Sequence, residues 1–385
     1  MLKIAYLVPN LSDPAVARRA DMFRRGGAEV EIAGFRRADA PPADLQAEKV
    51  IELDITHDAR MLQRLVATFK ARHGVRNWAR SLSRPDVIVA RNLEMLAIAN
   101  GLMQIWPRPP ALVYECLDIH RLMLRRDGVG RALRTVEQLL MEPASLLLVS
   151  SPAFLSQYFD AQGGPPAILV ENKVTAPAQA ETGRNPALAG DVAPIRIGWF
   201  GALRCSKSLA ALDGLSRAFE GRIEVSLRGR PALTEFDDFH GSVDASPHLR
   251  FGGPYRYPDD LAALYSSVHF AWAIDFFEEG QNSAWLLPNR IYEGCLSGAI
   301  PIALAGTQTA AFIEERGIGI VIPDIAPQTL ADLFASMTPD RLHGLAAAVA
   351  AQDPAQFRCD AAECCALVER LARLAGVRPP LEIAA

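Results

Sequence analysis

Short apolar runs alternate with longer stretches of helical period along most of this chain. Residues 2–8 form an apolar run of strand length. Ser12-Asp13-Pro14 then reads as a helix start. Asp13 is the N-cap, and Pro14 takes the first helical position, where its missing N–H costs nothing. Val16, Ala20 and Phe23 line one face of that helix, with arginines on the other. Gly26-Gly27 ends it, and 30–34 is the next strand. Strands recur at 50–53, 86–90, 111–115, 146–150 and 168–170, with helical patterns between most of them. That alternation predicts a parallel α/β sheet.

Residues 173–194 break the pattern. They are rich in Pro, Ala and Gly with no period, and read as a linker. A second series follows, with a strand at 195–200, a helix from about 206, and strands at 224–228, 249–251, 269–274, 299–303 and 318–322. The tail from about 326 is helical. The expected organisation is therefore an α/β domain at 1–172, a linker at 173–194, a second α/β domain at 195–356 and a helical tail at 357–385.

Composition supports a large core: half of the 385 residues are apolar. The N-terminus lacks a basic region followed by a long apolar stretch, so no signal peptide is expected. No run reaches the roughly 18 apolar residues of a spanning helix. These features predict a cytoplasmic protein. The six cysteines are scattered without CxxC spacing, which fits reduced thiols better than disulfides or zinc.

Charge changes the picture, because it is uneven. Residues 1–177 hold 23 Lys+Arg against 19 Asp+Glu, a net of +4, and the remainder holds 17 against 25, a net of −8. The excess sits in arginine clusters at 18–19, 24–25, 36–37 and 121–134. A basic half suits an anionic lipid surface or a pyrophosphate-bearing acceptor, and equally suits solvated helix faces. Nucleic acid is not expected, since the clusters lack interleaved aromatics and the whole chain is acidic.

Candidate chemistry lies after the strands, because open parallel sheets bind ligands at the carboxyl ends of their strands. After 195–200 come Gly201, Arg204 and Lys207. Gly201 allows close backbone approach. The two cations sit near a helix N-terminus, where cations are disfavoured unless an anion joins them. The segment 276–285 is polar and amide-rich, and Gly280, Asn282 and Ser283 could donate to phosphate or sugar. The segment 287–303 places Pro288 at a helix start, where the N–H groups of Asn289 and Arg290 face outward. Glu293 lies about a turn and a half further in, within reach of a ribose hydroxyl. Aromatic and glycine residues at 251–257 could pack a nucleobase or simply the core. There is no GxGxxG and no P-loop.

In the first half, Glu115, Asp118 and His120 gather at the end of an apolar strand. Each could act as a general base, in the order Asp118, His120, Glu115. Asp118 could instead cap a following helix. Asp13, after the first strand, is explained by N-capping and remains a further candidate on the acceptor side.

The stretches 1–37, 111–126, 197–209 and 287–303 together resemble bacterial exopolysaccharide glycosyltransferases of the GT-B fold, including the succinoglycan-type glucosyltransferases. That resemblance implies two Rossmann-like domains facing across a cleft, with a C-terminal helix at about 357–375 returning to the first domain. It implies Arg204 and Lys207 on the donor diphosphate, Glu293 on the ribose, and a base on the N-terminal domain. Retaining members carry two Glu residues eight positions apart here. Counting back from Glu293 reaches Trp285, and the nearest acids are Glu278 and Glu279, which favours an inverting enzyme. The implied donor is a UDP-linked hexose, glucose for the succinoglycan-type glucosyltransferases. The implied acceptor is a lipid-pyrophosphate-linked oligosaccharide at the inner membrane face, with the enzyme peripheral there. No metal cofactor is implied, since the basic pair and helix ends would neutralise the leaving diphosphate. The competing readings are a nucleotide-sugar epimerase, a non-catalytic chain of the same fold, and a two-lobed solute-binding protein.

Overall fold

Strands that are apolar on both faces are stable only with helices on both sides of the sheet, and the chain meets that requirement twice. The computed structural model of the protein describes residues 1–37, 45, 47–56, 61–175 and 193–377. The chain divides into one unit of Met1–Glu171 with Cys359–Ala385 and a second of Asn172–Arg358.

The first unit contains β1 (Leu2–Val8), α1 (Pro14–Arg25), β2 (Ala28–Arg37), β3 (Lys49–Thr56), α2 (Met61–His73), α3 (Val75–Trp78), β4 (Val87–Arg91), α4 (Asn92–Met103), β5 (Ala111–Cys116), α5 (Gly128–Met141), β6 (Ala144–Val149), α6 (Pro152–Phe154) and β7 (Ala167–Leu169). Its seven strands are parallel in the order β3-β2-β1-β4-β5-β6-β7. The Asp13 cap is present: its Oδ1 accepts from the Ala15 N–H at 2.9 Å, with Pro14 opening α1. The arginines of α1 are not all on a solvated face, however. Arg18 and Arg19 are buried, because Arg19 reaches inward to a carboxylate on β5.

The second unit contains β8 (Ile195–Leu203), α7 (Ser206–Ala218), β9 (Ile223–Pro231), α8 (Phe239–Asp244), β10 (Leu249–Phe251), α9 (Leu261–Ser266), β11 (Phe270–Trp272), α10 (Asn282–Trp285), α11 (Asn289–Leu296), β12 (Ile300–Leu304), α12 (Gln308–Glu315), β13 (Ile320–Ile322), α13 (Pro327–Ala335) and α14 (Pro339–Ala350). Its six parallel strands run β10-β9-β8-β11-β12-β13. Two details differ from the sequence expectation. β8 continues to Leu203, so Gly201 lies within the strand, at φ 103°, paired with Gly229 of β9. A Cβ on Gly229 would stand 1.9 Å from the Gly201 carbonyl oxygen, so this close strand contact excludes any side chain there. Pro288 is the N-cap of α11 and not its first residue.

The last helix, α15 (Ala361–Ala375), belongs to the first unit and packs against α1. Cys364, Val368, Leu371 and Ala372 join the core beneath β1 and β2. Gly26 at the end of α1 permits this approach, since a Cβ there would lie 2.3 Å from the Cys364 carbonyl oxygen. The returning helix read from the sequence is thus present. Most of the expected linker, from 176 to 192, lies outside the described residues.

Candidate functional site

In the second unit the chain leaves β8 toward β9 and β10 on one side, then comes back to build β11, β12 and β13 on the other. The strand order therefore reverses between adjacent strands β8 and β11, and open parallel sheets bind ligands at the carboxyl ends of the strands at such a break. The residues singled out in this half of the sequence lie on the segments around that break. Arg204 follows β8, and its Nε holds Asp275 Oδ2 at 2.9 Å, while its guanidinium lies 4.6 Å from the centre of the Phe277 ring. Asp275 Oδ1 in turn accepts from the Phe277 N–H at 2.9 Å, which fixes the start of the loop after β11. Lys207, in the first turn of α7, pairs with Glu279 and lies 5.3 Å from the Phe276 ring. One loop thus supplies a carboxylate to each cation.

The loop closes on itself beyond Glu279. Ser283 Oγ accepts from the Glu278 N–H at 2.9 Å, and Gly280 takes a left-handed turn at φ 74°. Asn282 and Ser283 are buried at the start of α10. Asn289 opens α11, half-buried. Arg290 is buried and donates to the carbonyls of Trp272 at 3.2 Å and Ala202 at 3.3 Å. Its guanidinium therefore ties α11 to the ends of β8 and β11, a framework role for the side chain of a residue whose backbone N–H was the group singled out in the sequence. Glu293 is buried and accepts from the Tyr265 hydroxyl at 3.0 Å. Burial first, and then the Glu293 carboxylate, push the Tyr265 phenol well above its usual value, so it remains a donor.

The segment 251–257 divides between two tasks. Phe251 stacks edge-on with Phe239 in the core, and the Tyr257 hydroxyl accepts from the Thr175 N–H at 3.1 Å. Tyr255 stands beside Gly201, 3.8 Å from where a Cβ would be. Arg228, which the sequence reading passed over, braces this segment by donating to the carbonyls of Gly253 and Pro254.

The first unit has an equivalent break between β1 and β4. Here the charges lie inside. Glu115 is fully buried in β5 and accepts from Arg19 Nε at 2.6 Å, Arg91 Nε at 2.8 Å and the Tyr6 hydroxyl at 2.6 Å. Burial alone would raise its pKa, but Arg91 and Arg19 outweigh it and hold the carboxyl down to about 2. A carboxylate with three donors and that acidity is a poor proton acceptor, so Glu115 leaves the set of candidate bases. Asp13 Oδ2 lies 3.6 Å from Arg91 Nη1, which draws the α1 cap to the same network.

Asp118 and His120 lie in the exposed loop after β5. No helix follows at once: α5 starts at Gly128 and is capped by Asp127, so capping does not account for Asp118. Burial, and then the Arg64 guanidinium, push the His120 imidazole below its usual value, so it is neutral at pH 7. Its Nδ1 accepts from the Leu122 N–H at 3.3 Å, which places the proton of the neutral ring on Nε2. Two residues at this break had no sequence signal. Arg91 reads as the polar end of a strand. Asn92 takes the left-handed region at φ 64°, with Oδ1 buried and without a hydrogen-bond partner among the described residues. Such backbone strain gathers at functional positions.

No protein-family model matches the chain. It is 49% identical over 379 residues to the succinoglycan biosynthesis protein ExoL of Rhizobium meliloti strain 1021, covering 97% of this chain and 94% of that protein. Among solved structures it is similar to sucrose-phosphate synthase from Thermosynechococcus elongatus, with a TM-score of 0.68, 14% identity, and coverage of 97% and 98% of the two chains. It is also similar to HepE from Anabaena in complex with UDP-glucose, with a TM-score of 0.67, 16% identity, and coverage of 97% and 100%. These likenesses show the GT-B fold.

Proposed function

This chain belongs to the family of the succinoglycan biosynthesis protein ExoL and is a GT-B glycosyltransferase, and from that premise we propose that it transfers a hexose, glucose in our reading, from UDP to a lipid-pyrophosphate-linked oligosaccharide. The observation that carries the donor site is the meeting of Arg204, Lys207 and the α11 N-terminus at the β8/β11 break. A diphosphate placed there would meet two cations and outward N–H groups. As the glycosidic bond to the diphosphate breaks, negative charge grows on the leaving phosphate, and those groups stabilise it more in the transition state than in the ground state. Glu293, with Tyr265 behind it, is our candidate for the ribose hydroxyls.

Asp118 is the proposed general base for the acceptor hydroxyl. It is exposed just after a parallel strand, outside the buried ion cluster that takes up Glu115. Trp285 stands where a retaining enzyme would carry its second glutamate, so the transfer is proposed to invert the anomeric centre. Among the described residues no helix is long and apolar enough to cross a membrane. A lipid-borne acceptor is then met by peripheral association with the inner membrane face, which the basic first half suits electrostatically.

The test is a panel of nucleotide sugars assayed for protection against thermal unfolding. UDP-glucose at 100 times its dissociation constant should add about 2.7 kcal/mol of stability. A panel in which no uridine nucleotide protects the protein rejects the donor assignment. Product analysis with and without acceptor then separates transfer from epimerisation of the donor alone.

A further inference from the structure

Most of the arginine clusters in the first unit are engaged internally. Arg18 and Arg19 are buried, Arg24 and Arg25 pair with Asp21, and Arg36 pairs with Glu52. Most of the described basic residues of this unit that remain toward solvent fall in two segments. Residues 61–84 hold six Lys+Arg and no acid, and residues 121–134 hold five Arg and one acid. The single acid, Asp127, is paired with Arg125, and Glu94 of α4 is paired with Arg64.

The same two segments carry α2 and α5. Both flank α4 in the helical layer on one side of the sheet. The Arg64–Glu94 pair ties α2 to α4, and Asn100 Nδ2 donates to the Leu140 carbonyl at 2.8 Å to tie α4 to α5. From this layer α2 turns Leu65, Val66 and Phe69 outward, and α5 turns Val129, Val136 and Leu139 outward, each between 46% and 64% exposed. The spacings i, i+1, i+4 and i, i+7, i+10 put each trio on one side of its helix. These six are half of the twelve large hydrophobic residues exposed among the described residues. Isolated exposed apolar residues are ordinary on a protein surface, but a concentration on two neighbouring helices marks an interaction surface.

We propose that the outward faces of α2 and α5 dock this protein on an anionic lipid membrane, with the six apolar side chains entering the interface and the flanking Lys and Arg residues on the headgroups. This deepens the membrane-side reading of the acceptor given above and rests on it. Charge selects the occupant. A second copy of the chain meeting this face about a two-fold axis would set each basic segment against its twin, and like charges in register oppose association. An anionic bilayer complements both components: the cations meet lipid phosphates and the apolar tips leave water.

The test is flotation of the full chain with vesicles of phosphatidylcholine alone and of phosphatidylcholine with phosphatidylglycerol, at low and high salt. The parent protein should bind the anionic vesicles and keep part of that binding at high salt, because apolar insertion is not screened. The double variant Phe69→Ser, Leu139→Ser should bind on the order of tenfold more weakly with an unchanged melting temperature. If Phe69 or Leu139 proves structural and the melting temperature drops, Val66→Ser with Val136→Ser serves in their place. Binding that salt removes completely and that the serine variants do not weaken would overturn the proposal, leaving arginine attraction alone. Absence of vesicle binding, with light scattering showing a dimer that Phe69→Ser dissolves, would assign the face to a second copy and also overturn it. In either case protection by UDP-glucose would stand, so failure here is distinct from failure of the donor site.

Discussion

The two units carry the same topological break and use charge at it in opposite ways. At β1/β4 the ions are sealed: Glu115, Arg19 and Arg91 are almost wholly buried, with both guanidinium groups paired to the one carboxylate. At β8/β11 they are accessible: the side chains of Arg204 and Asp275 are 31% and 9% exposed, and those of Lys207 and Glu279 are 58% and 56%. A sealed cluster in low dielectric cannot exchange partners cheaply, because removing one ion strands the others. A solvated pair is worth little and can give up its partner to a ligand. The sealed break holds its unit together, and the accessible one suits the diphosphate-binding role proposed for it.

The contrast breaks most visibly at Glu115. Glu115→Gln leaves two buried guanidinium groups without their anion and should destabilise the protein by about 3–5 kcal/mol, read from urea unfolding. The pH dependence follows from its depressed pKa. The folded value is about 2 against 4.5 for the free group, so Glu115 contributes its full stability above about 4.5, and the contribution is lost as pH falls toward 2. The Gln variant should lack that part of the acid transition. A variant as stable as the parent would show that the buried cluster is not what holds this break.

Asp118→Asn comes next. Proton transfer by a positioned base contributes roughly 10²–10⁴ in rate, and the substitution should lose that much turnover while UDP-glucose binding and melting temperature hold. A folded variant with near-parental transfer would remove Asp118. His120→Ala and Asp13→Asn would then follow in the same assay.

Glu293→Ala sharpens the comparison from the other side. Lost hydrogen bonds from ribose hydroxyls to a carboxylate should weaken donor binding by about 1.5–3 kcal/mol in calorimetry. Tyr265→Phe is the control. If the 3.0 Å bond from the Tyr265 hydroxyl only aims the carboxylate, affinity should fall by less than in Glu293→Ala. Equal affinity in all three proteins would place the ribose elsewhere.

How much of this was legible in the sequence depends on how local each feature is. The strands of both sheets read clearly, because runs such as 87–91 and 300–304 are apolar on both faces. The Asp13 cap and the α11 region were readable from adjacent residues. Gly201 was misplaced into a loop because the extension of β8 rests on its pairing with Gly229, which no local pattern reveals. The sealed cluster was invisible for the same reason. Arg19 and Glu115 are separated by 96 positions, and an arginine opposite an apolar helix face reads as solvated until the fold brings a carboxylate to it. For Arg290 only the backbone N–H at a helix start was legible, because the carbonyls that its side chain binds belong to strands 18 and 88 positions away.

The smallest effect tests the accessible half of the comparison most directly. Lys207 and Glu279 form an ion pair with both side chains more than half exposed, so the pair itself should contribute only about 0.2–1 kcal/mol. If the diphosphate takes over Lys207, donor binding has to break that pair. Glu279→Gln removes the competitor and keeps the loop's shape and much of its hydrogen bonding. It should leave the melting temperature within experimental error and tighten UDP binding by a comparable amount, several-fold at most. The gain should shrink at high salt, because exposed charges are screened within about 8–10 Å at physiological ionic strength. Arg204 gives the internal control, since its partner Asp275 also holds the Phe277 N–H. Asp275→Asn should therefore disturb the loop and cost affinity, where Glu279→Gln gains it. Weaker UDP binding in Glu279→Gln would mean that the loop carboxylate helps to form the site, and that this break too depends on a fixed ion pair.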